Sequence, residues 1–372
     1  MRLLAACAIL AAALGAFFLR VSRDMRDFEV PWTVAGRAAA AEPLYRAEDE
    51  HYQFKYLPAF AVLAVPLGMV PLPVAKAIWF VGSVALLFAL IAISIRLLPE
   101  QRRATRFLVA SALLVLAKFY ARELDLGQVN LLFGAAAAGA LLAMKTGREM
   151  LAAALLVATV AIKPYGVLLL PLLLVRRRGA TTFATVAGVW LLFLLPVPLY
   201  GLAGTIDLHH TWWQTVTETT GPNLLNPDNI SLASMYAKWL GMSTLATALA
   251  AVSALALLGG VAFVFLRRRS VPFPEGLEGG LLLLLIPLLS PQGWDYVLLI
   301  ATPAVLYLAN YLDRLPPLWR GLTIAAGLTI GLSLFDLMGR AAYAAFMGAA
   351  VISVCALVLA GALVRLRIGA EA

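Results

Sequence analysis

The sequence has few of the side chains that form covalent cross-links or bind metals. It contains two cysteines, Cys7 and Cys355, and both lie inside apolar runs, so neither a disulfide framework nor a zinc site is predicted. Two of the three histidines, His209 and His210, are adjacent and lack the i, i+4 spacing that places two ligands on one helix face. We therefore expect no metal and no other cofactor.

Charged residues are also scarce. They make up 13% of the chain, against about 25% in soluble globular proteins. No stripe of basic and aromatic residues is present, which argues against nucleic acid as a partner. No phosphate-binding loop and no nucleophile–base motif occurs either. The net charge of +9 is therefore interpreted as a sign of membrane topology and lipid contact.

Apolar residues, at 62%, form many runs long enough, or nearly so, to cross a ~30 Å hydrocarbon layer. The predicted fold is an all-α polytopic membrane protein, a bundle of about twelve transmembrane helices. No polar segment reaches the ~50 residues that a soluble domain needs, so residues 1–372 are expected to form one membrane domain. Met1–Arg20 has no room for an apolar signal region before its "LAAC" box, which favours an uncleaved first helix. The runs lie near residues 3–20, 74–97, 107–121, 129–144, 150–163, 165–175, 182–200, 243–266, 279–290, 296–311, 321–336 and 343–364.

The distribution of basic residues predicts the orientation. If the N-terminus is cytoplasmic and the sides alternate, the cytoplasmic connections hold 17 of the 29 Lys and Arg residues and 6 of the 20 Asp and Glu residues. Short loops rich in Lys and Arg remain on the cytoplasmic side. Both termini are therefore predicted to be cytoplasmic, in a multi-pass protein of the plasma (inner) membrane whose active site faces the outside or periplasm. This orientation requires that residues 56–73, which contain four prolines, do not span but form a broken outer segment.

The first outer segment, residues 21–73, carries carboxylates. Asp24, Asp27 and Glu29 directly follow the first predicted helix. The stretch "VPWTVAGRAAAAEPLY" is expected to form a juxtamembrane amphipathic helix with Trp32 and Tyr45 at headgroup depth. Most acids of this kind are simply the solvated end of a helix. The alternative is that one of them is a general base close to an acceptor hydroxyl that arrives from water.

Two polar interruptions lie where the chain should enter lipid. In "ELDLGQVN", Gln128 and Asn130 begin a predicted span and need hydrogen-bond partners, either within the helix end or in a substrate. In "TVAIKPYGVLLLPLLL", Lys163 lies at a break between two short runs. Broken helices at membrane depth line cavities, so Lys163 either faces a cavity or extends its ammonium to the interface.

Aromatic residues accompany two further outer segments. Trp212 and Trp213 form either an interfacial belt or a platform on which a sugar ring can stack. The segment "SPQGWDY", residues 290–296, interrupts two apolar runs and is either an ordinary tight turn or part of the same site. Carboxylates, a buried lysine, arginines, amides and tryptophans on one face of a bundle suit a lipid phosphate that carries a sugar.

The ordered set of these motifs resembles glycosyltransferase family 87, the polyprenyl-phosphate-mannose-dependent mannosyltransferases of the GT-C membrane fold. The resemblance covers residues 20–310. The matching pieces are "DFEVPW", "AGRAA", "EPLY", "FKYLP", "ELDLGQVN", "GREMLAAALLVATVAIKPYGVLLLPLLLVRRR", "NPDNIS" and "LSPQGWDYVLLIATPA".

The resemblance implies inverting transfer of a hexose, mannose in the better-known relatives, from a polyprenyl phosphate to a lipid or glycan acceptor on the outer side of the membrane. It places the catalytic base at Asp27, with Asp24 as the second choice. It implies that cationic side chains bind the phosphate of the sugar donor: Lys55, Lys163 and Arg122. It implies that polar and aromatic side chains contact the substrates: Gln128, Asn130, Trp213, Asn229, Trp294, Asp295 and Tyr296. Many relatives carry a histidine after the tryptophan of the last motif, where this chain has aspartate and tyrosine.

Two other functions fit the same composition. A polytopic transporter or lipid flippase also uses broken helices and intramembrane cations, although it should show a repeat in hydropathy that this sequence lacks. A membrane scaffold without catalysis is the third interpretation. Membrane lipids are expected neighbours in every case.

Overall fold

The computed structural model describes residues 15, 17–176, 179–268 and 272–369. Helices make up 82% of the structure, and these residues contain no β-strand. The predicted first helix, residues 3–20, lies mostly outside the described residues. The α-helices are α1 Arg26–Ala39, α2 Pro58–Gly68, α3 Leu72–Leu97, α4 Thr105–Leu126, α5 Asn130–Lys145, α6 Glu149–Ile162, α7 Pro171–Arg176, α8 Gly179–Leu194, α9 Val197–Asn223, α10 Leu232–Leu240, α11 Thr244–Leu266, α12 Glu275–Leu289, α13 Thr302–Tyr311, α14 Pro317–Leu332, α15 Phe335–Met338, α16 Arg340–Gly348 and α17 Val351–Gly369. Short 3-10 helices occur at Val21–Arg23, Ala47–Tyr52, Pro164–Leu169, Asp295–Ala301 and Leu312–Arg314.

Within residues 15, 17–176, 179–268 and 272–369, four helical segments are long and apolar enough to cross a membrane: α3, α11, Asp295–Arg314 and α17. Helices α8 and α9 meet the same criteria as a pair bent by 87°, which gives a fifth span if the pair crosses once. The part of the chain that the structure describes is thus all-helical with four or five candidate membrane spans, and the predicted twelve are not confirmed. Several of the predicted spans form helices of only 10–17 residues. At a rise of 1.5 Å per residue, such a helix is shorter than the ~30 Å thickness of the hydrocarbon layer.

Helix α12 lies at the centre of the bundle. Every residue of it except the last, Leu289, is buried, as expected for a helix that is apolar on all sides. Its first turn carries Glu278, which is fully buried and pairs with Arg268 and with Arg367 of α17. This buried ion cluster connects α12 to the last helix.

The outer segment forms two short helices that pack on each other. The two helices approach so closely that a Cβ at Gly68 would lie 2.7 Å from the Cβ of Ala35 in α1. Helix α2 has 11 residues, about 16 Å of helix, and is too short to span by itself, in keeping with a broken outer segment. Tyr45 is buried and donates a hydrogen bond to the carbonyl of Tyr56, so its hydroxyl is bound inside the protein.

Both predicted breaks are confirmed. Helix α6 ends at Ile162, Lys163 has an extended backbone, and a 3-10 helix follows from Pro164. Helix α12 ends at Leu289, and the next helical residue is Asp295. Proline stops each helix because it lacks an amide hydrogen and its ring clashes with the preceding turn.

Candidate active site

A cavity of about 1110 Å³ opens between the outer segment, the two breaks and α9. Most of the predicted site residues line it, although they come from segments as far apart in sequence as residues 24 and 296. The predicted residues that line the cavity are Asp24, Asp27, Lys55, Arg122, Gln128, Lys163, Trp213, Trp294 and Tyr296.

Asp27 lies half-buried in the first turn of α1. Its Oδ2 accepts a hydrogen bond from Nε2 of Gln128 at 2.7 Å. The amide oxygen of Gln128 in turn accepts from the hydroxyl of Tyr56 at 3.2 Å. One carboxylate oxygen is thereby held in place while the other is left for a ligand. Asp24, by contrast, is exposed, and Glu29 is paired with Lys76 at 2.7 Å.

Gly127 brings Gln128 next to Asp27. It ends α4 in the left-handed conformation, with φ +68°, which glycine adopts without steric cost. A Cβ at this position would lie 2.7 Å from the Cβ of Phe28. The backbone amide of Met25 also donates to the carbonyl of Asp125 at 3.0 Å. The turn after α4 therefore packs directly against the start of α1.

Lys163 points from the first break toward the cavity and meets an amide, not a carboxylate. Its Nζ donates to Oδ1 of Asn130 at 2.8 Å, and the hydroxyl of Tyr165 donates to the same oxygen at 3.1 Å. The ammonium also lies 5.8 Å and 5.5 Å from the ring centres of Tyr56 and Tyr165. The carboxylate of Glu123 lies on the other side of this amide and accepts from Nδ2 of Asn130 at 2.8 Å.

Lys55 provides a second cation. It follows the 3-10 helix Ala47–Tyr52, and its backbone carbonyl accepts from the indole of Trp212 at 3.1 Å. Burial lowers the pKa of Lys55, and the nearby charge of Asp27 partly offsets that effect. Within the described residues its ammonium has no hydrogen-bond or ion-pair partner, so it is available to an anion in the cavity.

Arg122 lines the cavity but is already neutralised. Its guanidinium contacts Asp228 at 2.6 Å and Asp295 at 3.1 Å, and it lies 5.3 Å from the ring centre of Tyr296. Two carboxylates at hydrogen-bond distance leave this arginine far less able to attract a phosphate than either lysine.

Three of the predicted contacts, Asn130, Asn229 and Asp295, are buried and do not line the cavity. The amide of Asn229 donates to the carbonyls of Asn223 and Pro291 and so connects the "NPDN" loop to the second break. Two backbone bonds reinforce that connection, from Ile230 to Gly293 at 2.7 Å and from Asp295 to Asp228 at 2.8 Å. These three side chains support the wall of the site.

The far wall is a face of α9. Trp213 is 60% exposed, and Thr217, Thr220 and Asn223 follow it at helical spacing along the cavity. Gln292 of the second break donates to the hydroxyl of Thr220 at 3.1 Å. An aromatic ring with a row of hydroxyl and amide groups is suited to a sugar.

The sequence did not single out Glu123, Tyr56, Tyr165 or Asp228 as functional. Each lies within two positions of a residue that it did single out, and all four lie inside the quoted motifs, which was the only available signal. Among the residues that the structure describes, no group of three or more His, Cys, Asp or Glu side chains is arranged to hold a metal.

A family model, glycosyltransferase family 87, matches residues 54–291. The matched range contains both lysines and the amides of the "ELDLGQVN" turn, but it begins after Asp24 and Asp27. The role of those two carboxylates therefore depends on the geometry alone. No curated protein and no solved structure matches the chain.

Proposed function

The chain belongs to glycosyltransferase family 87, and from this premise we propose that it transfers a hexose from a polyprenyl phosphate to a hydroxyl group of a lipid or glycan acceptor. One observation carries the proposal. The cavity is lined by a carboxylate fixed by an amide, Asp27, and by two lysines, Lys55 and Lys163, to which no carboxylate of the described residues is bonded.

The two lysines form the proposed site for the phosphate of the sugar donor. Both line the cavity, and an anion is the ligand that offsets the cost of keeping an ammonium away from water. Arg122 is left out of this set because two carboxylates already bind it. Apolar side chains in the same lining suit an isoprenoid chain: Leu126, Leu168, Val216 and Leu289.

The proposed reaction is a single displacement at the anomeric carbon. The bond from that carbon to the phosphate oxygen breaks, and its electron pair leaves with the polyprenyl phosphate. Lys55 and Lys163 stabilise the charge that develops there, the kind of preorganised stabilisation that contributes most in a low-dielectric site. The acceptor oxygen attacks from the opposite face and gives its proton to Asp27, so the configuration is inverted.

Asp27 is a better base than Asp24 for two reasons. Its orientation is fixed by Gln128, whereas Asp24 is exposed. It also lines the cavity near Lys55 and Lys163, so a hydroxyl bonded to it would lie close to a sugar phosphate bound by the two lysines. A base must be held within hydrogen-bond reach of the hydroxyl it deprotonates, and only Asp27 has such a support.

The decisive experiment compares Asp27→Asn with Asp24→Asn as its matched control. Purified protein is incubated with radiolabelled lipid-linked sugars and a membrane extract that contains acceptors. Asparagine retains an oxygen that accepts from Gln128, so the fold is kept and only the base is lost. We expect Asp27→Asn to lower kcat by roughly 10²–10⁴-fold and Asp24→Asn to leave it nearly unchanged. A large loss of kcat in Asp24→Asn alone would assign the base to Asp24. An unchanged kcat in both variants would refute the proposal.

The same assay tests the sugar donor. A panel of polyprenyl phosphates with mannose and other hexoses identifies the sugar, for which mannose is the first choice by family resemblance. Lys55→Met and Lys163→Met are expected to raise the KM for the lipid donor more than that for the acceptor. Because ammonium groups supply the positive charge, added EDTA should leave turnover unchanged. Labelled lipid that crosses the bilayer without sugar transfer would instead favour a flippase.

The location of the site is part of the proposal: the outer face of the inner membrane, with both termini cytoplasmic. Cysteines introduced at two exposed positions, Glu50→Cys and Arg148→Cys, test it in a background without Cys7 and Cys355. An impermeant thiol reagent added from outside should label position 50 and not position 148. The opposite pattern would invert the orientation.

A further inference from the structure

A single turn holds both reactive groups of the proposed site. Gln128 donates to Asp27 at 2.7 Å, and Asn130, two residues later, accepts from Lys163 at 2.8 Å. The segment that joins α4 to α5 therefore contacts both the proposed base and the proposed cation. A residue that fixes this turn also fixes the two amides that orient Asp27 and Lys163.

Glu123 lies directly behind the turn. It is fully buried, and it does not line the cavity. One carboxylate oxygen accepts from Nδ2 of Asn130 at 2.8 Å, and the other accepts from the backbone amide of Leu131 at 3.0 Å. A carboxylate satisfies both donors because both of its oxygens are acceptors.

These two bonds determine which way the amide of Asn130 faces. Its NH₂ group is directed to Glu123, so its oxygen is directed to Lys163 and to the hydroxyl of Tyr165. The negative charge of Glu123 thus lies one amide away from the ammonium. Lys163 is oriented and partly balanced in charge, yet no carboxylate of the described residues is bonded to it directly.

We propose that Glu123 is a positioning residue for the sugar donor, which acts through Asn130 to aim Lys163 into the cavity. The inference rests on the proposed function, in which Lys163 binds the phosphate. It assigns a role to a side chain that never meets substrate.

Glu123→Gln is the test variant. It keeps the size of the side chain but replaces one acceptor oxygen with an NH₂ group. The new NH₂ group must face either the side chain of Asn130 or the backbone amide of Leu131. In either position one hydrogen-bond donor faces another. The clash with Asn130 is relieved only if Asn130 rotates and turns its own NH₂ group toward Lys163. We expect the KM for the lipid donor to rise about tenfold, the scale of one lost hydrogen bond to a charged group, with little change in the KM for the acceptor.

A double-mutant cycle separates positioning from a general structural effect. If Glu123 acts through Lys163, Glu123→Gln should raise the lipid-donor KM in the wild-type background and leave it unchanged in the Lys163→Met background. An equal rise in both backgrounds would overturn the inference. No rise in either background would overturn it as well, provided that Lys163→Met alone raises the KM.

The two failures can be told apart. If Lys163→Met itself leaves the lipid-donor KM unchanged, the phosphate assignment in the proposed function fails, and the positioning role falls with it. Glu278→Gln is the matched control, because Glu278 is another fully buried carboxylate, paired with arginines at the opposite end of α12 from Leu289. It is expected to lower thermal stability without changing the lipid-donor KM. If Glu123→Gln does not fold, Glu123→Asp replaces it. That variant keeps both oxygens, shortens their reach, and should show a smaller rise that also disappears with Lys163→Met.

Discussion

Gly127→Ala should slow sugar transfer even among the molecules that remain folded, in addition to lowering the thermal stability of the protein. The substitution has two separate costs. An alanine in the left-handed conformation costs about 1–2 kcal/mol, and glycine does not incur this cost. The new methyl would also lie 2.7 Å from the Cβ of Phe28, whereas carbon atoms pack at about 3.5–4.0 Å. The start of α1 must therefore retreat by about 0.8 Å or more, and Asp27, the neighbour of Phe28, retreats with it.

The control is Gly147→Ala. Gly147 also has a positive φ, +72°, after a helix end, but a Cβ there would meet nothing within 4 Å. It therefore incurs only the conformational cost. Thermal unfolding in detergent should show a loss of stability in both variants and a larger loss for Gly127→Ala.

Initial rates of sugar transfer then decide the matter. A misplacement of about 1 Å at a reacting group costs on the order of 10²-fold in rate, so Gly127→Ala should fall by about that factor while Gly147→Ala stays near wild type. Equal rates in the two variants, after correction for folded protein, would show that contact between the turn and α1 does not position Asp27.

Three further predictions concern the walls of the cavity. Burial lowers the pKa of Lys55, so its ammonium loses its proton at a lower pH than a free lysine, whose pKa is about 10.4. Use of the lipid donor should therefore decline as the pH rises through the lowered pKa of Lys55. Lys55→Arg keeps the charge, so the alkaline decline in kcat/KM for the lipid donor should move to higher pH; an unchanged profile would exclude Lys55 as its cause. Arg122→Gln leaves two neighbouring carboxylates unpaired, so it should lower Tm while changing the lipid-donor KM less than Lys163→Met does. Gly293→Ala would place a Cβ 1.8 Å from the carbonyl oxygen of Pro287, so its yield of folded protein should collapse in size-exclusion chromatography, whereas Gly321→Ala, with open space around it, should fold normally.

Local features of the sequence identified most of the parts of the site. Lys163 was recognisable because a cation inside an apolar run requires a partner, and Gln128 was recognisable as a polar residue at a helix entry. Proline marked both breaks because it lacks the amide hydrogen that an interior helical position donates. Properties of this kind depend on a residue and its near neighbours in the chain, so they can be derived without a fold.

The number of spans was not derivable in the same way. An apolar run predicts burial, but it does not distinguish a helix that crosses lipid from one that is buried inside a bundle. Helix α12, enclosed by other helices, and helix α11, largely open on its outside, have similar apolar sequences. Only the packing of neighbours separates these two environments.

The sequence by itself determined that this is an apolar, helical chain with broken helices and polar groups at the breaks, and which family it resembles. The tertiary structure alone decided how those groups pair. Asp27 meets Gln128 across 101 positions, Arg122 meets Asp295 across 173, and Lys163 meets an asparagine backed by a buried glutamate. The physical reason is that a side chain's charge partner depends on which helices pack together and at what height, and the local pattern of residues does not contain that information.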